Sequence, residues 1–212
     1  VERSRGLGDV YKRQSKLFFH IKLSARISNQ NFKEKIEMTD LATLKKEGDV
    51  SVITLDDGKV NVFSPAMIEQ LNALLDEVPE DKGCLLIQGK EGMFSAGFDL
   101  KVMQGGDTDA MSKMASGGFR LLARVFSFPR PVVASCSGHA IALGAFMLCC
   151  ADYRVGVKGE FIVQANETRN NMSIPTPILE ISRSRIAKAH WYRAILNAEA
   201  YNIEDSISAG YL

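Results

Sequence analysis

Phe94-Ser95-Ala96-Gly97-Phe98-Asp99-Leu100 comes shortly after Cys84-Leu85-Leu86-Ile87-Gln88, and the reading of these two segments sets the fold. Cys84 to Gln88 is apolar almost throughout, the pattern of a strand buried on both faces. The stretch after it closes in a small, glycine-containing turn. Such a turn leaves backbone N–H groups with no partner in the chain, and those donors suit an anion that develops during a reaction. A second segment repeats the arrangement. Pro131-Val132-Val133-Ala134-Ser135 reads as a strand, Cys136-Ser137-Gly138-His139-Ala140 as a small-residue turn, and Ile141-Ala142-Leu143-Gly144-Ala145 as the entry to an apolar helix. Two turns of this kind can aim two N–H groups at one oxygen.

Working outward, Leu44 to Glu47 and Val50 to Leu55 alternate apolar and polar residues around Glu47-Gly48-Asp49, a hairpin signal. Ser64-Pro65 opens a helix, with Ser64 as N-cap and Pro65 at the first helical position. Met67, Ile68, Leu71, Leu74 and Leu75 give that helix one core face, and Pro79 ends it. Gly105-Gly106-Asp107 is a loop before a helix over 109–126, which Ser127-Phe128-Pro129-Arg130-Pro131 terminates. Strand 132–135, helix 144–150 and strand 153–157 follow. Pro175 begins a region with Ile178, Ile181 and Ile186, and the spacing predicts a helix over 187–196. A last short helix over 204–209 ends at Gly210. Strands alternating with helices indicate an α/β fold with largely parallel pairing. The pattern alone fits a doubly wound sheet as well as other α/β arrangements.

The bulk properties suit one globular domain with a sizeable core: 212 residues, 46% hydrophobic and 24% charged. A net charge of +1 gives no footprint for nucleic acid or for an anionic membrane surface. Cys84, Cys136, Cys149 and Cys150 lie in apolar runs without metal-ligand spacing, so they read as buried free thiols of a reducing compartment, and no metal site is expected. No run reaches the ~20 apolar residues needed to span a bilayer. Residues 1–37 differ from the rest. They read as a leader, an artefact or a disordered segment, before a domain covering 38–212. The alternative is a basic, serine-containing presequence. The expected location is cytoplasmic, or mitochondrial or peroxisomal if that presequence is real.

Together the two turn segments resemble the crotonase superfamily, the enoyl-CoA hydratases and isomerases. Phe94 to Leu100 is similar to that family's F-x-A-G-x-D-L motif. The stretch around Gly138 to Gly144 occupies the place of its G-x-A-x-G-x-G segment, and Asp152-Tyr153-Arg154 matches the D-Y-R that follows. The resemblance runs from about Met38 to Leu212. It implies the crotonase-type spiral of ββα units. It also implies that the C-terminal helices with which family members complete the acyl pocket and trimer contacts are truncated here.

The resemblance further implies an acyl-CoA thioester as substrate, with coenzyme A as part of that substrate, no separate cofactor, and a homotrimer or dimer of trimers. Ala96 matches the residue whose N–H is one oxyanion donor. Leu143, nine residues before Asp152, matches the second, where the family usually has glycine. Backbone from Ala96 through Gly97, Phe98, Asp99 and Leu100 would cradle the coenzyme, and Asp99 caps the helix that follows. Gly144 keeps the second turn small. Hydratases of the family place a glutamate where this chain has Phe146, and a second one in a later loop. Here that loop reads Asn166-Glu167-Thr168, similar to the N-E-T of Δ3,Δ2-enoyl-CoA isomerases, in which a single glutamate shuttles a proton between C2 and C4. Glu167 is the matching residue. One base that removes and returns a proton needs no second carboxylate, and an apolar Phe146 keeps water away. Burial of Glu167 is expected to raise its pKa towards neutrality.

Other residues have plainer readings. His139 reads as packing, and His190 and Trp191 as a partly buried face. Met103, Met111 and Met114 read as helix packing or the lining of an acyl tunnel, and Lys101 as a solvated lysine near a phosphate. Two competing functions stay open at this stage. A hydratase would need another carboxylate, such as Glu160, to reach the site. A non-catalytic acyl-CoA-binding protein would fit Leu143 in the hole, the polar Asn170-Asn171 and a lone Glu167.

Overall fold

Strand β1 (Ala42–Glu47) and β2 (Val50–Leu55) form the hairpin that their alternation predicts, antiparallel from Ala42 opposite Leu55 to Glu47 opposite Val50. The computed structural model describes residues 40–212. The reading of residues 1–37 as a leader, and the domain start at 38, lie outside the described residues.

From β2 onward the chain repeats one move: a strand, a second short strand, then a helix. Strand β3 (Val62–Phe63) leads to α1 (Pro65–Asp76), whose N-cap is Ser64; the Ser64 hydroxyl accepts the Met67 N–H at 3.1 Å. Met67, Ile68, Leu71 and Leu75 are buried on its core face, and the helix ends three residues before Pro79. Next come β4 (Cys84–Gln88), β5 (Gly92–Ser95), β6 (Gly97–Phe98), α2 (Leu100–Gln104) and α3 (Thr108–Phe126). The third round is β7 (Val132–Cys136), β8 (Gly138–Ile141) and α4 (Leu143–Cys150), and the fourth is β9 (Tyr153–Gly156), β10 (Ile162–Gln164) and α5 (Thr176–Arg185). The chain then closes with β11 (Tyr201–Asn202) and α6 (Ile203–Ala209), which Gly210 ends at φ 87°.

From β2 to β10, successive strands join different sheets. One has the order β1-β2-β4-β7-β9, parallel from β2 onward; another has the order β11-β10-β8-β5, with β5, β8 and β10 parallel; β3 pairs with β6. The segments 92–95 and 138–141, read as parts of turns from sequence, are therefore strands of the second sheet. Each is four residues long and held by its neighbour rather than by its own pattern. Helix α4 is buried at all eight positions, which places it at the centre of the core.

The helix expected over 187–196 is a correction. The helix lies earlier, at α5, with Ile178, Ile181 and Ser182 buried. It stops because Ile186 turns extended and the Ala187 N–H donates to the Ala209 carbonyl at 2.9 Å instead of to its own helix. The chain turns at 187–190 and winds again over 191–196, with Tyr192–Leu196 as a π-helical turn.

The Asp152-Tyr153-Arg154 segment is a tie. The Asp152 carboxylate accepts the Val132 N–H at 3.0 Å and the Arg185 guanidinium at 3.3 Å, and Arg154 donates to the Ala151 and Gly210 carbonyls. The four cysteines are free. Burial pushes the Cys136 thiol up to about 11 and the Cys149 thiol up to about 12. No described helix is long and apolar enough to cross a membrane.

Candidate active site

Three neighbouring parallel strands deliver the candidate residues. Ser95 at the end of β5 lies opposite Ala140 on β8, and Ile141 at the end of β8 lies opposite Gln164 at the end of β10. The chain leaving β5 makes the first glycine turn, the chain leaving β8 makes the second, and the chain leaving β10 reaches Glu167 after three residues. The carboxyl ends of adjacent parallel strands are where α/β sheets gather binding groups.

The first turn corrects one expectation. The Ala96 N–H is not free: it donates to the Val60 carbonyl at 2.9 Å. The Gly97 N–H is committed as well, to the Ser95 hydroxyl at 3.1 Å, and that hydroxyl donates to the Asn61 carbonyl at 2.7 Å. The reason is the loop before β3, which lies alongside and absorbs both donors' neighbourhood. Gly97 sits at φ 90°, a conformation that costs glycine little, and turns the chain towards Phe98. Asp99 caps α2 as expected, accepting the Lys101 N–H at 2.9 Å. Leu100 is 64% exposed on α2, outside the turn itself.

The second turn is built on Ala142 and Leu143. Ala142 adopts φ 51°, ψ −122°, the glycine-favouring corner of a type II′ turn. Its N–H donates to the Gln164 carbonyl at 2.8 Å and its own carbonyl accepts from Ala145 and Phe146. Leu143, first in α4, carries an N–H without a partner among the described residues, as a helix start must unless something caps it.

The two turns touch. A Cβ placed on Gly97 would meet the Ala142 Cβ at 2.8 Å and the Leu143 nitrogen at 3.2 Å, and one on Gly144 would meet the Ser95 carbonyl oxygen at 2.5 Å. Gly118 on α3 makes room for both sides at once, since its Cβ would lie 2.5 Å from the Phe98 ring and 3.1 Å from a Leu143 methyl. Phe98 also packs edge-on against Phe119. Gly97, Phe98, Leu143 and Gly144 are thus brought together.

Glu167 is buried, 9% exposed, and its Oε2 has no hydrogen-bond partner among the described residues. Burial pushes its carboxyl up to about 7, opposed by its own backbone N–H. The residue is held by its carbonyl, which accepts from Asn170 and Met172. Phe146 is buried at 1% exposure within α4. Glu160 precedes β10 and is exposed, at the opposite end of that strand from Glu167. His139 bridges strands: its Nδ1 accepts the Ile162 N–H at 3.2 Å, and its ring meets Phe161 edge-on. Met114 belongs to the core, while Met103 and Met111 are half-buried. Among the described residues no group of three His, Cys, Asp or Glu is placed to hold a metal ion.

Sequence reading missed three supporting residues. Asn61, at φ 54° and 1% exposed, donates to the Leu55 and Phe94 carbonyls and accepts from Asp57, which locks the loop under the first turn. Nothing in its neighbours signals this. Ala142 hides a glycine conformation behind an ordinary residue. Gly118 did leave a signal, since a Gly117-Gly118 pair inside a helix weakens it and implies close packing.

Residues 45–211 match the family described as enoyl-CoA hydratase/isomerase. The chain belongs to the enoyl-CoA hydratase/isomerase family. A solved enoyl-CoA hydratase/isomerase family protein from Pseudomonas syringae superposes with a TM-score of 0.79 at 38% identity, over 82% of this chain and 76% of that one. The crotonase-type fold is thereby established. Among curated relatives, the peroxisomal enoyl-CoA delta isomerase 2 of Arabidopsis thaliana is 28% identical over 74% of this chain and 68% of its own length. A probable enoyl-CoA hydratase of Bacillus subtilis is 31% identical over 51% of this chain and 43% of its own. The matched region spans between 43% and 68% of the length of these curated relatives. Isomerase and hydratase names both occur among members of the enoyl-CoA hydratase/isomerase family similar to this chain, so family membership leaves the reaction to the residues.

Proposed function

We propose that this protein isomerises 3-enoyl-CoA thioesters to 2-enoyl-CoA thioesters with Glu167 as the only acid–base group. The observation that carries this reading is the Glu167 carboxylate itself. It is buried, its Oε2 has no partner among the described residues, burial pushes its carboxyl up to about 7, and it lies three residues beyond the strand that adjoins the Leu143 turn. A base poised near the working pH is the most effective one.

The Glu167 carboxylate takes a proton from C2 of the substrate. The electron pair delocalises over C2–C4 and onto the thioester oxygen, giving a dienolate. Protonated Glu167 then returns the proton at C4, leaving the double bond between C2 and C3. The step is internally balanced and calls for no redox partner. The developing oxyanion is held by the Leu143 N–H. With Ala96 and Gly97 committed elsewhere, the first-turn donor in this proposal is the Phe98 N–H, beyond the positive φ of Gly97 and beside Leu143 over Gly118. Each such donor contributes ~3 kcal/mol to the transition state. Hydration would require a second carboxylate to hold the water. Phe146 stands where one is expected, and Glu160 is exposed at the far end of β10.

The test is conversion of a 3-enoyl-CoA, followed by absorbance of the conjugated thioester, beside hydration of a 2-enoyl-CoA. Isomerisation without hydration is the expected result. Hydration at a comparable rate would overturn the single-glutamate reading, and tight acyl-CoA binding without either activity would make the protein a binder.

A further inference from the structure

Helices α1 and α3 run side by side in the same direction: Ile68 meets α3 at Gly117, and Asn72 meets it further along, at Arg124. Between them lies an open cleft of about 450 Å³, a size that suits a small ligand. Its floor is apolar, since Ile68 and Met114 line it and are buried. Gly117 leaves the wall of α3 bare at this level. A Cβ there would meet only the Ile68 side chain within 4 Å, at 3.5 Å, so the glycine borders space rather than crowding. Gly118 is different, because it faces the Phe98 ring and Leu143. Helix α3 therefore stands between the cleft and the candidate active site.

The charges at the cleft do not balance. Arg124 closes the end towards the carboxyl termini of both helices, donating to the Asn72 carbonyl at 2.9 Å and pairing with Asp76 at 2.6 Å. That cation is already neutralised. Lys113 and Arg120 are exposed and flank Gly117 on one stripe of α3. Among the described residues neither enters an ion pair. The acidic residue on the lining is Glu69, from α1. Two free cations against one carboxylate leave a net positive charge above an apolar floor.

We propose that this cleft binds a medium-chain carboxylate, an apolar chain that ends in one negative charge. The chain lies along Ile68 and Met114, in the space that Gly117 leaves. The carboxylate sits between Lys113 and Arg120, whose guanidinium offers the paired N–H groups that match it. A neutral chain would leave both cations without a partner, and a small anion would leave the apolar floor in water. The site asks nothing of Glu167 or of the reaction assigned to it.

The test is a titration of the whole chain with decanoate, followed by the carbon-13 methyl resonance of Met114, with Met114→Leu assigning the signal. Decanol lacks the charge and butanoate lacks the chain. Decanoate should shift the Met114 methyl saturably, and each of the other two should bind at least about tenfold more weakly. Lys113→Ala combined with Arg120→Ala should weaken decanoate by about tenfold and leave decanol as it was. Gly117→Leu should abolish the response, because its side chain fills the cleft, and it replaces a poor helix former with a good one. No shift at Met114, equal affinity for decanoate and decanol, or binding that survives Gly117→Leu each overturns the proposal. The double variant changes exposed residues alone, so it decides the matter if Gly117→Leu does not fold: an unchanged decanoate affinity there overturns the proposal. Glu167→Gln should bind decanoate as the parent does, and a response lost in that variant would put the carboxylate in the candidate active site instead. A Met114 shift that follows protein concentration rather than decanoate would make the cleft a contact between copies, which overturns the proposal as well.

Discussion

Ala142 holds a backbone conformation that glycine would hold more cheaply. At φ 51°, ψ −122° its Cβ crowds its own chain, and strain of this kind costs on the order of 1–3 kcal/mol. The turn survives because its neighbours dictate it: the Ala142 N–H is tied to Gln164, and its carbonyl receives two N–H groups from α4. Ala142→Gly should therefore stabilise the protein by about 1 kcal/mol, the strain relieved less the added freedom of the unfolded chain. Denaturant unfolding reads this as a higher midpoint at constant slope, and a lower midpoint would show that the alanine is not strained. The same residue shows where sequence reading stops. The resemblance points to Leu143 through its place before the Asp152-Tyr153-Arg154 match, which needs no knowledge of partners. The Ala96 N–H could not be judged that way, because its partner, Val60, lies 36 residues upstream and belongs to a loop with no visible pattern.

At the scale of elements, the site exists because β5, β8 and β10 lie side by side and end together. The hairpin, the Ser64 cap, α1 and the buried strand at β4 were legible, since each carries a local signal: alternation, a capping hydroxyl, helical spacing or an apolar run. The short strands of the second sheet were not. Three or four residues cannot display a period, and Gly138 and Gly92 look like turn residues until the pairing partner is known. What the sequence did show was small residues, and these matter through contact between elements. Gly144→Ala should push the second turn off Ser95, because the added carbon would sit 2.5 Å from a backbone oxygen that has no rotamer to yield. The expected outcome is at least a tenfold fall in kcat/KM for isomerisation with the circular dichroism of the fold retained. Unchanged kinetics would mean that the contact between the two turns does not set the geometry of the oxyanion site.

For the whole molecule, the buried Glu167 sets a pH dependence of stability opposite to that of most carboxylates. Its carboxyl is raised from an ordinary 4.5 to about 7, with burial as the cause. Between those values the folded protein binds a proton that the unfolded chain has released. Stability therefore falls as pH rises through the window, and above about 7 the full penalty is present. At about 1.4 kcal/mol per pH unit of displacement, that penalty is on the order of 3 kcal/mol. Glu167→Gln replaces the carboxyl with a neutral group of the same shape. Near pH 5 the variant should unfold at much the same denaturant concentration as the parent. At pH 8.5 it should be the more stable by about 2–3 kcal/mol, while turnover is lost at every pH. In the parent, kcat/KM should rise with pH through about 7, as the base is freed over the same range in which the fold is weakened. A structural glutamate would behave otherwise: its removal would cost stability and leave the rate profile in place. If the Gln variant proves no more stable than the parent at pH 8.5, the ionised carboxylate has a partner in solution, and the case for a base held uncompensated in the interior falls with it.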